Sequence, residues 1–378
     1  MRELRQHSEV SNIELFYDLI FAYAISRITT VLHLVHHDTI PALYLVEFAV
    51  MVFMFWTVWT YQTVLVNRFF QENIQHGVFM LFDMFIVIVL SQSLTPNFAS
   101  TQIAFPGATS LLLFSIAVQY LLRSRHLTDP RQLKVAYGLA RILIITSVIG
   151  AITIIPWAPY SVREVVYILS MIYANIAPIF MKDRLTAFPA MFEHLTERYS
   201  LFTLLLFGEA IIAVTEVVDV HHFDWLSIPF FLIIVALFWV YFTIYQQGID
   251  RHKRTAGIAL INIHYFVFVG LDLVAAIVTL YLKHELIGWQ FALLMTIGLW
   301  FFLGGSAMML STYGSRRANE HWRLLFGNAT CSAMVAGAVI WFCRDWQEIV
   351  MVLIALFLLG IAWWWNREVS RLSTNNAD

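Results

Sequence analysis

Along this chain, apolar runs of about 20 residues alternate with short polar breaks. The spacing matches a hydrocarbon core about 30 Å thick crossed at 1.5 Å per helical residue. Twelve spans are predicted, at Asn12–Leu34, Ala42–Val66, Gly77–Leu94, Ala104–Leu122, Val135–Ile155, Ser161–Met181, Tyr199–Val218, Trp225–Tyr245, Ala256–Leu282, Leu286–Leu310, Leu324–Cys343 and Glu348–Trp365. The chain therefore reads as an all-α, polytopic integral membrane protein. The polar segment from Leu372 reads as a disordered tail. Glu14 and Asp18 interrupt what would be the core of a signal peptide, so the first helix is expected to remain in the mature protein.

Composition agrees with the pattern. Of 378 residues, 60% are hydrophobic and 13% charged, against about 25% charged in an ordinary soluble domain. The placement of charge says more than its sum. Arg2 and Arg5 precede the first span, Arg68 follows the second, and Arg123, Arg125, Arg131 and Lys134 follow the fourth. Lys182, Arg184 and Arg198 follow the sixth, Arg251, Lys253 and Arg254 the eighth, Arg316, Arg317 and Arg323 the tenth, and Arg367 and Arg371 the last. The opposite loops hold only Arg163, Lys283 and Arg344. Such alternation requires the right number of spans, and the positive-inside rule then puts both termini in the cytoplasm. Trp363, Trp364 and Trp365 at the inner end of the last span, and Trp341 and Trp346 at the outer turn before it, read as interfacial anchors.

The halves align in order. LFYDLIFAYAI from Leu15 matches LFTLLLFGEAI from Leu201, FMFWTVWTYQ from Phe53 matches ALFWVYFTIYQ from Ala236, and FMLFD ending at Asp83 matches FVGLD ending at Asp272. An even number of spans separates them, which predicts two parallel six-helix repeats, residues 1–185 and 186–378.

The candidate chemistry lies in ionisable residues at membrane depth. Each costs roughly 2.5–3.5 kcal/mol at the centre of a span and needs a partner, water or a function. The first helix carries Glu14, Asp18 and Arg27. Asp18, Asp83 and Arg141 each lie about six residues into outward-running spans, so Arg141 is expected to neutralise Asp18 or Asp83. Arg27 and Glu47 lie at similar outer depth in a helical hairpin and are expected to pair. In the second half, Glu209 and Asp272 sit near mid-membrane with His264 two turns before Asp272. No basic residue there lies at comparable depth, so those carboxylates are protonated or face water or a cation. His264 is either a proton relay or a hydrogen-bonded structural residue. Glu216, seven residues beyond Glu209, continues an acidic stripe toward Asp219. His36, His37 and Asp38, and His221, His222 and Asp224, occupy corresponding outer loops and read as solvated residues, since adjacent histidines rarely chelate one ion.

Cys331 and Cys343 share a helix, separated by roughly 18 Å at 1.5 Å per residue, beyond disulfide reach. No nucleophile elbow, phosphate loop, HExxH motif or basic nucleic-acid stripe is present. The expectation is a protein without catalytic residues, metal, cofactor or nucleic-acid partner. Its partners are the bilayer and a proton or small cation, and its oligomeric state is open.

NIELFYDLIFAYA and ERYSLFTLLLFGEAIIAV from Glu197 resemble the bacterial low temperature requirement protein A family. Its E-L-F-[FY]-D-L-[IV]-F and E-R-[FY]-x-L-F-x-[IL]-x-x-x-G-E patterns stand intact at Glu14, Leu15, Phe16, Tyr17, Asp18 and Phe21, and at Glu197, Arg198, Tyr199, Phe202, Gly208 and Glu209. The resemblance implies a multi-pass inner-membrane protein associated with growth in the cold, and implies little chemistry. FYDLIFAYAI is also similar to a first-helix signature of two-repeat, six-helix potassium channels. Tyr17 replaces the serine of that signature, and Thr203 and Leu204 stand at the Ser-Asp positions of the second half. The expected function is movement of a small cation, proton or small solute. The carboxylates Asp18, Asp83, Glu209 and Asp272 would line the pathway, with Arg27, Arg141 and Arg198 as partners. The alternatives are a non-transporting scaffold with architectural ion pairs, a potassium-channel-like pore, and a membrane-embedded enzyme acting on lipid.

Overall fold

A computed structural model describes residues 10–69, 73–92, 102–218 and 225–373. Among these residues there is no strand; the single bridge, His36 to Thr39, closes a tight turn. Twelve helices are long and apolar enough to cross a membrane, as the run lengths predict. Only a helix satisfies every backbone N–H and C=O within its own segment in lipid. The helices are α1 (Asn12–Thr29), α2 (Ala42–Phe69), α3 (Ile74–Gln92), α4 (Ala104–Ser124), α5 (Pro130–Ile154), α6 (Tyr160–Phe180), α7 (Lys182–Ala187), α8 (Phe192–Thr215), α9 (Ser227–Thr243), α10 (Ile258–Leu282), α11 (Gly288–Tyr313), α12 (Arg316–Glu320), α13 (Trp322–Cys343) and α14 (Gln347–Ser373). Here α7 and α12 are short connectors.

Most ends shift by a few residues from expectation, and three shifts change the reading. Helix α8 begins at Phe192, seven residues before Tyr199, so Glu193, His194, Glu197 and Arg198 lie on the helix. These polar residues lower the hydropathy there, and the buried ones, His194 and Arg198, are compensated by partners elsewhere in the fold, while Glu193 is exposed. Helix α5 starts at Pro130, with Asp129 accepting the Arg131 N–H at 2.8 Å, an N-cap followed by proline at the first helical position. Side-chain hydrogen bonds from Arg131 hold the Asp129 carboxyl below its ordinary range. Helix α14 continues through Leu372 to Ser373, where a disordered tail was expected; residues 374–378 lie outside the described residues.

Two arginines counted as loop charges instead satisfy helix ends. Arg68, buried in the last turn of α2, donates to the carbonyls of Leu185 (3.3 Å), Phe188 and Ala256 (2.8 Å). Arg163, in the first turn of α6, donates to Thr153 O at 2.7 Å, Ala158 O at 3.1 Å and Gln102 Oε1 at 2.8 Å. It thereby supplies donors that the last carbonyls of α5 lack.

The chain forms two compact units. The first comprises residues up to Val31, Glu47–Arg198 and Arg254–Ile258. Within it, α1 packs on α3, α3 on α4, α4 on α5 and α5 on α6. Polar side chains tie α2 to its neighbours: Tyr61 donates to Ala174 O at 2.6 Å, Tyr120 to Tyr61 O at 3.1 Å and Asn175 to Thr57 at 2.6 Å. The second unit comprises Leu32–Val46, Tyr199–Lys253 and the chain from Ala259. There α11 packs on α13 and α9 on α14. Its most enclosed helix is α10, with 89% of its apolar window buried against 28% for α6 of the first unit. Helix α10 is thus a core helix of its unit, whereas α6 leaves most of its surface exposed. Gln290 grips the backbone of Ile40 at both ends, donating to its oxygen and accepting from its nitrogen at 2.7 Å each.

A buried charge centre in the first unit

Glu14 and Asp18 are one helical turn apart on α1, and His194 and Arg198 are one turn apart on α8. Each pair shares a face of its helix. The two faces meet, and all four side chains are fully buried. Arg198 Nη2 donates to Asp18 Oδ1 at 2.9 Å, its Nε lies 3.3 Å from both Asp18 oxygens, and Nη1 reaches Glu14 Oε2 at 3.5 Å. Its planar fork thus serves two carboxylates, as a lysine ammonium could not. The Tyr17 and Trp59 rings stand 5.9 and 5.7 Å from the guanidinium carbon, adding cation–π contacts. The Trp59 indole N–H donates to Asp18 Oδ1 at 2.7 Å. Glu14 also accepts from the Ser11 hydroxyl at 2.7 Å and the Ser11 N–H at 3.3 Å, so it caps its own helix while serving the centre.

The His194 tautomer follows from its surroundings. Asn67 Oδ1 accepts the Met191 N–H at 3.0 Å, which turns the Asn67 amide nitrogen toward Met191 O (2.9 Å) and His194 Nδ1 (3.1 Å). Nδ1 must therefore accept, and the ring proton sits on Nε2, which donates to Glu14 Oε2 at 3.0 Å. Asn67→Leu removes this brace and leaves the part-buried Met191 N–H without its acceptor. The expected loss is about 1–3 kcal/mol of stability, read as a lower melting temperature in detergent. An unchanged melting temperature would show that the bracing is dispensable.

Sequence reasoning named Glu14, Asp18 and Arg198 and missed His194, Trp59 and Asn67. The signal for His194 was its spacing: four residues before Arg198, it mirrors the Glu14–Asp18 interval. The helix start placed at Tyr199 concealed it. Trp59 and Asn67 had no local signal.

The two expected ion pairs do not form. Arg141 is exposed on α5. Asp18 takes Arg198 instead, and Asp83 takes the neutral Ser115 hydroxyl at 2.5 Å and the Gln119 amide at 2.9 Å. Arg27 is exposed on the last turn of α1, and Glu47 Oε2 is buried without a hydrogen-bonding partner among the described residues. Similar depth and hairpin adjacency did not determine which way these side chains face. Asp83 is thus a fully buried carboxylate held, among the described residues, by neutral donors. Gln119 in turn accepts from Gln62 at 3.3 Å.

In the second unit, His264 Nδ1 lies 2.8 Å from Leu260 O and its Nε2 2.9 Å from the Tyr241 hydroxyl. The carbonyl requires a proton on Nδ1, so Nε2 accepts from Tyr241, whose oxygen accepts from Thr203 at 2.9 Å. Asp272 is buried, and its Oδ2 has no hydrogen-bonding partner among the described residues. The half-buried Glu209 lies within electrostatic reach of it. The acidic stripe is interrupted at Glu216, which pairs with Lys283 at 2.8 Å; Asp219 lies outside the described residues.

Among the described residues no group of three or more His, Cys, Asp or Glu side chains is arranged to hold a metal ion. His36, His37 and Asp38 form a turn with positive φ at the latter two, and Asp38 O accepts from the Ile287 N–H at 2.7 Å. His221, His222 and Asp224 lie outside the described residues. Cys331 and Cys343 are free.

These features define a polytopic helical membrane protein whose first unit encloses a paired charge centre. Residues 9–364 match the model of the bacterial low temperature requirement A protein family, LtrA, and the chain belongs to that family. It is also similar to an uncharacterized protein of Rhizobium meliloti, RA0937, with 24% identity over 335 residues, covering 82% of this chain and 78% of that protein.

Proposed function

We propose that this protein moves a proton or another small cation across the bacterial inner membrane, in support of growth in the cold. Both termini would face the cytoplasm, and two parallel six-helix repeats, residues 1–185 and 186–378, would carry the pathway without catalytic chemistry on a covalent substrate. The observation that carries this reading is Asp83, a carboxylate at membrane depth that is fully buried yet meets no cationic partner among the described residues. Such a group is costly and is a functional site by default. Asp272, with one oxygen unsatisfied, is its counterpart in the second unit.

The charge centre supports a second, architectural role within the same protein. Asp18 and Arg198 satisfy one another, and Trp59 completes the set. This part of the alternative scaffold reading therefore applies to Glu14, Asp18, His194 and Arg198, while the exchangeable carboxylates are Asp83 and Asp272.

Reconstitution into proteoliposomes under imposed proton, sodium and potassium gradients tests the proposal. Asp83→Asn and Asp272→Asn are expected to abolish flux while the protein stays folded, and Asp18→Asn to lower the melting temperature. Flux that persists in both Asp83→Asn and Asp272→Asn would sink the transport assignment.

A further inference from the structure

A small cleft opens between the start of α3 and the end of α4, its polar lining being Asn73, Gln75, His76, Gln119, Arg123 and His126. It lies on the side that carries Arg123, Arg125, Arg131 and Lys134, which the positive-inside rule assigns to the cytoplasm. Gln119 belongs to two places at once: it lines the cleft and its amide donates to Asp83 Oδ2. His76 also faces the cleft and stands seven residues before Asp83, hence on the same face of α3. Phe79 and Leu122 complete the lining, and the Gln119 side chain is the polar connection between the cleft and the buried carboxylate.

We infer that Asp83 is a proton-binding site loaded from the cytoplasmic side through this cleft, with Gln119 as the link. The inference rests on the transport reading above and narrows its cargo. Hard metal cations take about six or more oxygen ligands. Here both Asp83 oxygens already face donor hydrogens, from the Ser115 hydroxyl and the Gln119 amide. A metal cation placed there would meet those hydrogens, whereas a proton needs only one oxygen. Ser115 suits both states: it donates to the carboxylate, and after protonation its oxygen accepts from the carboxylic acid. The Gln119 amide donates to the other oxygen in both states and swings aside between them to admit water from the cleft, carrying no proton itself. The proton moves from water in the cleft to an Asp83 oxygen, and no covalent bond beyond O–H changes. The titratable and charged groups around Asp83 are Tyr17 and Asp18 on α1, His76 on α3, and Arg123 and His126 at the end of α4. Tyr17 lies within electrostatic reach of both Asp83 and Asp18, and its hydroxyl has no hydrogen-bonding partner among the described residues.

Two measurements on the full chain test this. Infrared spectra of the purified protein in detergent should show a carboxylic-acid carbonyl band that titrates with pH and is missing in Asp83→Asn, a readout independent of transport. In proteoliposomes, His126→Cys in a Cys331→Ser, Cys343→Ser background should keep proton flux until a bulky, membrane-impermeant thiol reagent is added on the face of the α4–α5 loop. Block from that face alone supports the route. Titrating carbonyl intensity that Asp83→Asn leaves unchanged overturns the assignment of Asp83, and block from the opposite face, or from neither, overturns the route. Absence of any flux from the unlabelled protein, with the band intact, ends the transport reading and the route while Asp83 remains a proton site.

Discussion

Replacing Arg198 with glutamine is expected to destabilise the protein by about 3–5 kcal/mol, the range for breaking a fully buried ion pair by removing one partner. That is a large share of the stability of a typical domain, so little folded protein should survive in detergent. The reason is asymmetric: Asp18 keeps the Trp59 indole but loses the guanidinium that bonds both its oxygens. Introducing Asp18→Asn in the same chain removes the uncompensated charge and is expected to restore much of the folded population. Arg198→Lys should rescue poorly, because one ammonium cannot span Asp18 and Glu14 as the fork does. Monodispersity on size-exclusion chromatography and melting temperature measure all three. If Arg198→Gln melts like the wild type, the centre is solvated and the architectural reading is wrong.

Gly270→Leu is expected to be comparably damaging in the second unit. A Cβ on Gly270 would lie 2.7 Å from Gly298 O and from Phe302 N, and 3.1 Å from Phe301 Cβ. Two of those three atoms are backbone, so no rotamer change relieves the clash and α10 must move away from α11. The contact is reciprocal: a Cβ on Gly298 would come within 2.9 Å of Val274, and one on Gly305, two turns further along α11, within 2.8 Å of Val267. In lipid, close backbone approach through small residues is a main source of helix association, since apolar side chains gain little by leaving lipid tails for one another. Even Gly270→Ala is expected to cost about 1–3 kcal/mol through overpacking, and leucine more. Gly360 meets nothing within 4 Å, so Gly360→Ala is the control and should gain about 0.5–1 kcal/mol from helix propensity. Equal melting temperatures for the Gly270 and Gly360 variants would show that the α10–α11 contact contributes nothing.

The failures of local reasoning share a cause. Arg141, Arg27 and Glu47 were placed in pairs from depth, which sequence position reports well. Pairing also needs the side chains to face one another, and the rotation of each helix is set by its neighbours. Arg68 and Arg163 show the same limit: both read as loop charges, yet each is folded inward onto carbonyls of a neighbouring segment. The start of α8 is the most consequential case. Glu193, His194, Glu197 and Arg198 look too polar for a span, and only partners on α1 and α2, more than a hundred residues away in sequence, make that stretch compatible with burial.

By itself the sequence determined twelve helices, their approximate positions and the alternation of their flanking charges. Those features answer to the bilayer, whose thickness and lack of water act on each segment separately. It also singled out Glu14, Asp18 and Arg27 as residues needing an explanation, because charge in an apolar run is costly wherever the run packs. Only the tertiary structure decided that Arg198 belongs to Asp18, that Asn67 fixes the tautomer of His194, and that Asp83 is left with neutral donors. Each depends on which faces of distant helices meet, a choice made by packing across the whole unit and not by the composition of any one span.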